Sequence, residues 1–310
     1  MDLCKRSSFA WSRLPLLLAT VLMIPTLACA PSTPATRGGL AVVSTVTQVS
    51  ALARAVGGDR IALTALLTSR DDPHQYDLKP DQVTSLIGAR VILLSGAGLD
   101  KWMNRGLQAA GAASRAVDLS ASVKLRQSEA EGTDPHWWYD TDNASAAVDR
   151  IAQAFGAADP TSAAVYRSNA ASAKRQLAAT DRQIHALIDP IPAAKRLFVA
   201  NHDAFSYFLE RYQITLVGDI VPSTDSIQAV RPADIAHLVG AIRAKHVCAI
   251  FTETTIDPKL AAQVAGEARV KVVAGKLFGD SIGDPGGPGG RLDQALLSNA
   301  RLMAEAFTSC

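Results

Sequence analysis

Between Pro160 and Pro190 the chain is rich in alanine and contains neither glycine nor a second proline. Nothing there stops a helix, and alanine favours one. A helix of about 28 residues, rising 1.5 Å per residue, is about 42 Å long. That is enough to lie along two lobes and join them as a rigid strut. The remaining elements must therefore be arranged on either side of it.

On both sides short β-branched runs alternate with amphipathic segments. Before the strut, runs at 40–46, 61–67, 90–95 and 116–119 alternate with helical patterns at 47–56, from Pro80 onward, and at 101–110 and 143–155. Gly57-Gly58 stops the first helix, and Pro80 suits the first turn of the second. After the strut, runs at 197–200, 214–220, 247–252 and 270–274 alternate with helical patterns at 204–211, 233–244 and 258–268, and a last helix starts at Leu292. Strand–helix alternation of this kind predicts parallel sheets. The expected fold is α/β: a βα lobe over 40–158, a linking helix over 159–190 and a second βα lobe over 191–310. The two lobes share a pattern but no sequence repeat. The segment 275–290 contains GDPGGPGG, too rich in glycine and proline for helix or sheet. It lacks the Lys-Ser/Thr of a phosphate-binding loop and is expected to wrap the surface.

The first 29 residues read as an export signal, with Lys5, Arg6 and Arg13 ahead of an apolar run at 14–27. That run is short of the roughly 20 apolar residues of a stable membrane span. It ends in Leu27-Ala28-Cys29, which resembles the site where bacterial lipoproteins are cut and the new N-terminal cysteine is acylated. Thr26 departs from that motif, and Ala28-Cys29-Ala30 also fits ordinary cleavage, although Pro31 would follow it unfavourably. Lipidation of Cys29 is the favoured reading, with 30–39, rich in Pro, Ser, Thr and Gly, as a flexible tether. The chain is then exported and either lipid-anchored on the outer face of the membrane or periplasmic. A formal charge of +2 gives no electrostatic case for nucleic acid, and a monomer is expected.

Of four cysteines, Cys4 leaves with the signal and Cys29 would carry lipid, so Cys248 and Cys310 remain. An even pair in an oxidising compartment suggests a disulfide. The alternative is a buried thiol at Cys248 and a free one at the chain end.

The six histidines divide by context. His185 and His237 fall within predicted helices and His246 just before a strand, where solvated or capping roles suffice. His74, His136 and His202 lie in predicted loops at or beyond strand ends, in DDPHQY, TDPHWWYD and VANHDAFSYF. Two of them share Asp-Pro-His. In open α/β sheets ligands bind outside the carboxyl ends of the strands. Asp280 follows another strand in KLFGDSIG. Three imidazoles and one carboxylate suit a four-ligand site for a borderline divalent metal. The spacing alone does not decide between such a site and three unrelated loop histidines.

Five segments, in order, carry a resemblance: DDPHQYDLKPDQ (71–82), DPHWWYD (134–140), HDAFSYFLERYQI (202–214), IFTETTIDPKLA (250–261) and LFGDSIGDPGGPGG (277–290). Over 40–310 the chain resembles the zinc- and manganese-specific solute-binding proteins of ABC importers. The resemblance implies metal ligation by His74, His136, His202 and Asp280, delivery to a membrane permease, and two lobes joined by a rigid helix. It also favours the Cys248–Cys310 pair. Manganese-type relatives carry Glu at the third ligand position, whereas this chain has His202, so Zn²⁺ is expected and Mn²⁺ is the alternative. Many zinc-type relatives have a His-rich acidic loop between the first two ligands, and 120–133 here contains no histidine. Trp138 is expected to wall the site, and Glu253 to hydrogen-bond a ligating imidazole.

A zinc hydrolase is the rival from another class. Catalytic zinc needs an open position for water. Four protein ligands leave little room for one, and no H-E-x-x-H segment occurs. The chain is therefore expected to be a receptor and not an enzyme.

Overall fold

The computed structural model describes residues 38–128, 132–221, 230–255 and 257–309. The signal at 1–29, Cys29, most of the tether and Cys310 lie outside the described residues.

Before the long helix the chain runs β1 (Leu40–Ser44), α1 (Thr47–Gly57), β2 (Ile61–Ala65), α2 (Pro80–Gly88), β3 (Val91–Leu94), α3 (Met103–Ala109) and β4 (Ala116–Asp118). These strands form one parallel sheet in the order β2-β1-β3-β4, so their carboxyl ends share an edge. A short antiparallel hairpin follows, β5 (Gln127–Ser128) and β6 (Gly132–Thr133), where the sequence suggested only a loop. Next comes α4 (Thr141–Ala158), capped by the Asp140 carboxylate, which accepts from the amides of Asp142 and Asn143.

The strut is α5 (Ala163–Ile188), 26 residues and so about 39 Å long. It starts later than the sequence pattern suggested because Pro160–Ser162 forms a 3₁₀ turn. Its buried residues Tyr166, Ala170, Leu177, Thr180, Ile184 and Ile188 recur every three, four or seven positions, making one stripe. That stripe packs on α4 and α1, and α5 also packs on the last helix of the chain.

After α5 come β7 (Leu197–His202), α6 (Ser206–Arg211), β8 (Thr215–Val221), α7 (Pro232–Ala244), β9 (Ala249–Glu253), α8 (Lys259–Ala268), β10 (Lys271–Leu277) and α9 (Leu292–Thr308). β7 pairs with β8 and β9 with β10, both parallel, and β7 lies beside β9. Successive strand residues point to opposite faces. Phe198 accordingly joins the main hydrophobic core and stacks on Phe251 at 4.9 Å, while Val199 joins a second core beneath α7 and α8. The fold is thus two parallel-sheet βα halves joined by one long helix, as expected.

Arg211 ties the halves together. Its guanidinium donates to Asp181 on α5 (2.6 Å), to Asp140 (3.1 Å) and to Asp142 (2.9 Å), and Tyr212 donates to Asp181 at 2.9 Å. Burial raises the Asp181 pKa, but the bonds from Arg211 and Tyr212 outweigh it and hold the carboxyl below its ordinary 3.8. A depressed carboxyl contributes stability above its unfolded pKa, and that stability is lost as pH falls through the folded value. Asp181→Asn should therefore lower stability by about 1–2 kcal/mol at neutral pH. In thermal melts the gap from the unmutated chain should close below about pH 4. A gap that stayed constant to pH 2 would contradict this.

Candidate metal centre

Three of the four residues singled out in the sequence lie at or within three residues of a strand end, and His74 lies farther along a loop. His74 lies in the loop between β2 and α2, and His136 follows the β5–β6 hairpin. His202 is the last residue of β7, and Asp280 comes three residues after β10. The structure brings all four together, with one ligand atom from each within 4.8 Å of the others.

The spacing within the group is tighter than that limit. His136 Nε2 lies 3.4 Å from His74 Nε2 and 3.2 Å from Asp280 Oδ1. His74 Nε2 is 3.4 Å from Asp280 Oδ1, and His202 Nε2 is 3.2 Å from Asp280 Oδ2. Four ligands about 2.0 Å from a tetrahedral ion are about 3.3 Å apart. The four side chains are between 0% and 3% exposed. An unpaired buried charge is costly, so such a group needs an ion or protons to be stable.

Two carboxylates orient the imidazoles. Asp134 Oδ1 accepts from His136 Nδ1 and from the His136 amide, each at 2.9 Å. Glu253 Oε1 accepts from His202 Nδ1 at 2.8 Å. A proton held on Nδ1 leaves the Nε2 lone pair facing the cluster. In the first Asp-Pro-His, Asp72 Oδ1 accepts from the His74 amide at 2.8 Å, so both loops use the same turn to present a histidine. Glu253 had been expected in this role, but Asp72 and Asp134 had not. The repeated Asp-Pro-His was the signal for both.

The electrostatics follow from burial and these neighbours. Burial disfavours a charged His136, yet its bonds to Asp134 and Asp280 win and push its pKa up to about 10. Burial also opposes charge on His202, but Glu253 and Asp280 raise its pKa well above the ordinary value. Asp280 is held well below the usual carboxylate range: burial works against ionisation, and the surrounding histidines, His202 foremost, overcome it. Burial pushes Glu253 up. A metal binding to imidazole nitrogens displaces any proton that they carry.

Trp138 is fully buried, with its ring centroid 5.5 Å from that of His136 in an edge-on packing, and so walls the centre on one side. The loop after β10 is divided: 279–282 are buried, whereas Asp284, Pro285, Gly286 and Pro288 are exposed, so only the glycine–proline stretch follows the surface as expected. Gly279 leaves room for Glu253, since a Cβ there would fall 1.9 Å from Glu253 Oε2. The other histidines stand apart: His185 bonds Asp189 on α5, His237 lies on α7, and His246 precedes β9.

Residues 42–309 match the family described as zinc-uptake complex component A, periplasmic. The chain belongs to this family. Its members are solute-binding receptors of ABC importers and not enzymes, which disposes of the hydrolase reading. The chain is 30% identical to the high-affinity zinc uptake system protein ZnuA of Paracoccus denitrificans, over 87% of this chain and 91% of that protein. It is 29% identical to the manganese-binding lipoprotein MntA of Bacillus subtilis, over 86% and 90%. The solved periplasmic zinc-binding protein TroA of Treponema pallidum shares the fold, with a TM-score of 0.80 at 22% identity over 87% of this chain and 99% of that one.

Glu253→Gln should weaken metal binding about 10- to 100-fold, the usual cost of altering a group that orients a ligating histidine. One metal per chain should remain. Calorimetric titration checks this, and unchanged affinity would remove Glu253 from the centre.

Proposed function

We propose that the chain is the extracytoplasmic receptor of a metal ABC importer, which holds one Zn²⁺ in preference to Mn²⁺ on His74, His136, His202 and Asp280. It passes that ion to the permease. The observation that supports this is the convergence of three imidazole nitrogens and one carboxylate, with one ligand atom from each within 4.8 Å of the others. Nitrogen-rich ligation favours zinc over the harder manganese. Relatives named for zinc and for manganese match the chain almost equally well, so the preference rests on His202.

Two further expectations belong to this reading. Cys29, acylated after export, tethers the receptor near its permease, with 40–158 and 191–310 as the two lobes on either side of 159–190. Cys248 pairs with Cys310; in support, Cys248 lines a cavity together with Ala306 and Phe307 of α9.

The test is elemental analysis and competitive titration of the full chain purified from its native membrane, together with its intact mass with and without reductant. One zinc per chain, displaced by manganese only in large excess, is the expected result. The mass should show lipid on a mature N-terminal Cys29 and a two-proton gain on reduction. An exchangeable water on the bound metal, or equal competition by manganese, would overturn the zinc-receptor reading.

A further inference from the structure

Asp280 is supplied from β10 in the second half, yet the segment that carries it is fastened to the first. The buried hydroxyl of Tyr139 donates to the carbonyls of Phe278 and Gly279, the latter at 2.6 Å. Gln48, at the buried start of α1, donates from Nε2 to the Gly279 carbonyl at 3.2 Å. Thr47 Oγ1 accepts from the Ile282 amide at 3.0 Å, and Ser281 Oγ donates to the Asp71 carbonyl at 3.0 Å. Ile282 packs with Ala51 of α1 and with Ala295 of α9. The peptide hydrogen bonds to the second half come earlier: Asn299 of α9 bonds the peptide groups of Phe278, two residues before Asp280, and the Thr254 amide donates to the Leu277 carbonyl. β10 itself is irregular, with a register shift between Val272 and Lys276 and with Gly275 at φ 136°. His202 has the opposite attachment. It ends β7, and its Nδ1 is held by Glu253 at the end of neighbouring β9, both in the second half.

We propose that Tyr139 and Gln48 are positioning residues for Asp280. They make His74, His136 and Asp280 one fixed face, so that His202 with Glu253 is the part of the centre that withdraws when metal is released. This rests on the metal-receptor reading above. Losing one nitrogen ligand leaves three groups, still buried and still pre-arranged, to receive the next ion, and departure of a single ligand is the smallest motion that opens the centre.

Release of zinc from the loaded full chain to excess chelator, followed by stopped flow, tests the first part. Tyr139→Phe keeps the ring, which packs on Phe205 at 4.9 Å, and removes only the hydroxyl. Tyr139→Phe and Gln48→Ala should each release zinc about 10-fold faster, with one zinc still bound per chain. Phe155→Leu, a core change beside Tyr166 that touches none of these groups, should release it at the unmutated rate. Unmutated rates in both positioning variants, or equal acceleration in Phe155→Leu, would overturn the proposal. Amide exchange tests the second part. On removal of zinc the Ile282 amide should keep its protection, while the Ala204 amide, bonded to the His202 carbonyl, should lose it. Equal loss at both would show that Asp280 moves with His202. A chain that takes up no metal in any form would fail earlier, and would overturn the receptor reading itself.

Discussion

Asp280→Ala should lower zinc affinity about 100- to 1,000-fold. Zinc held by four protein ligands is bound by roughly 10–16 kcal/mol, or about 3–4 kcal/mol per ligand, and each 1.4 kcal/mol is a factor of ten. Asp280 should lie at the upper end, because it faces all three imidazoles and is the only carboxylate in the ligand set. Its removal also leaves three histidines that repel one another when protonated, so the variant should retain its fold but hold metal weakly. Competition against a chelator of known affinity gives the number. A loss of less than 10-fold would mean that the metal is held elsewhere.

Zinc at 1,000 times its Kd should stabilise the folded chain by about 4 kcal/mol. For a chain of this size, that corresponds to a rise in Tm of roughly 8–16 °C. The rise should grow with the logarithm of free zinc and fall to roughly 1–6 °C in Asp280→Ala, where the same zinc is only about 1–10 times the Kd. Manganese at the same concentration should give a smaller rise. Differential scanning calorimetry of metal-stripped protein measures all three. A Tm indifferent to zinc would be incompatible with a buried four-ligand site.

Much of the fold could be read in advance because its determinants are local. The β-branched runs, the glycine stop at 57–58 and the uninterrupted alanine-rich stretch each act on their own segment, and β1, α1 and α5 formed where those signals lay. That His74, His136, His202 and Asp280 would converge was legible through their loop positions together with the resemblance carried by five segments. The rest of the centre was not. Tyr139 and Gln48 bond peptide groups 140 and 231 positions away, and no local pattern records such a partnership. The β5–β6 hairpin has strands of two residues each, too short for alternation to register. In the loop at 275–290, composition placed 284–288 at the surface correctly but gave no sign that 279–282 is buried, because glycine and proline rule out regular structure without ruling out burial. Gly279 is small so that a carboxylate can sit beside it.

The contact between His202 and Glu253 has an evolutionary consequence. With Nδ1 of one 2.8 Å from Oε1 of the other, and both side chains wholly enclosed, the two positions cannot drift independently. An acidic residue at 202 would bring two carboxylates into one small space, where they could not both ionise without a shared proton or a second cation. An exchange at 202 is therefore felt at 253, and an exchange at 253 at 202.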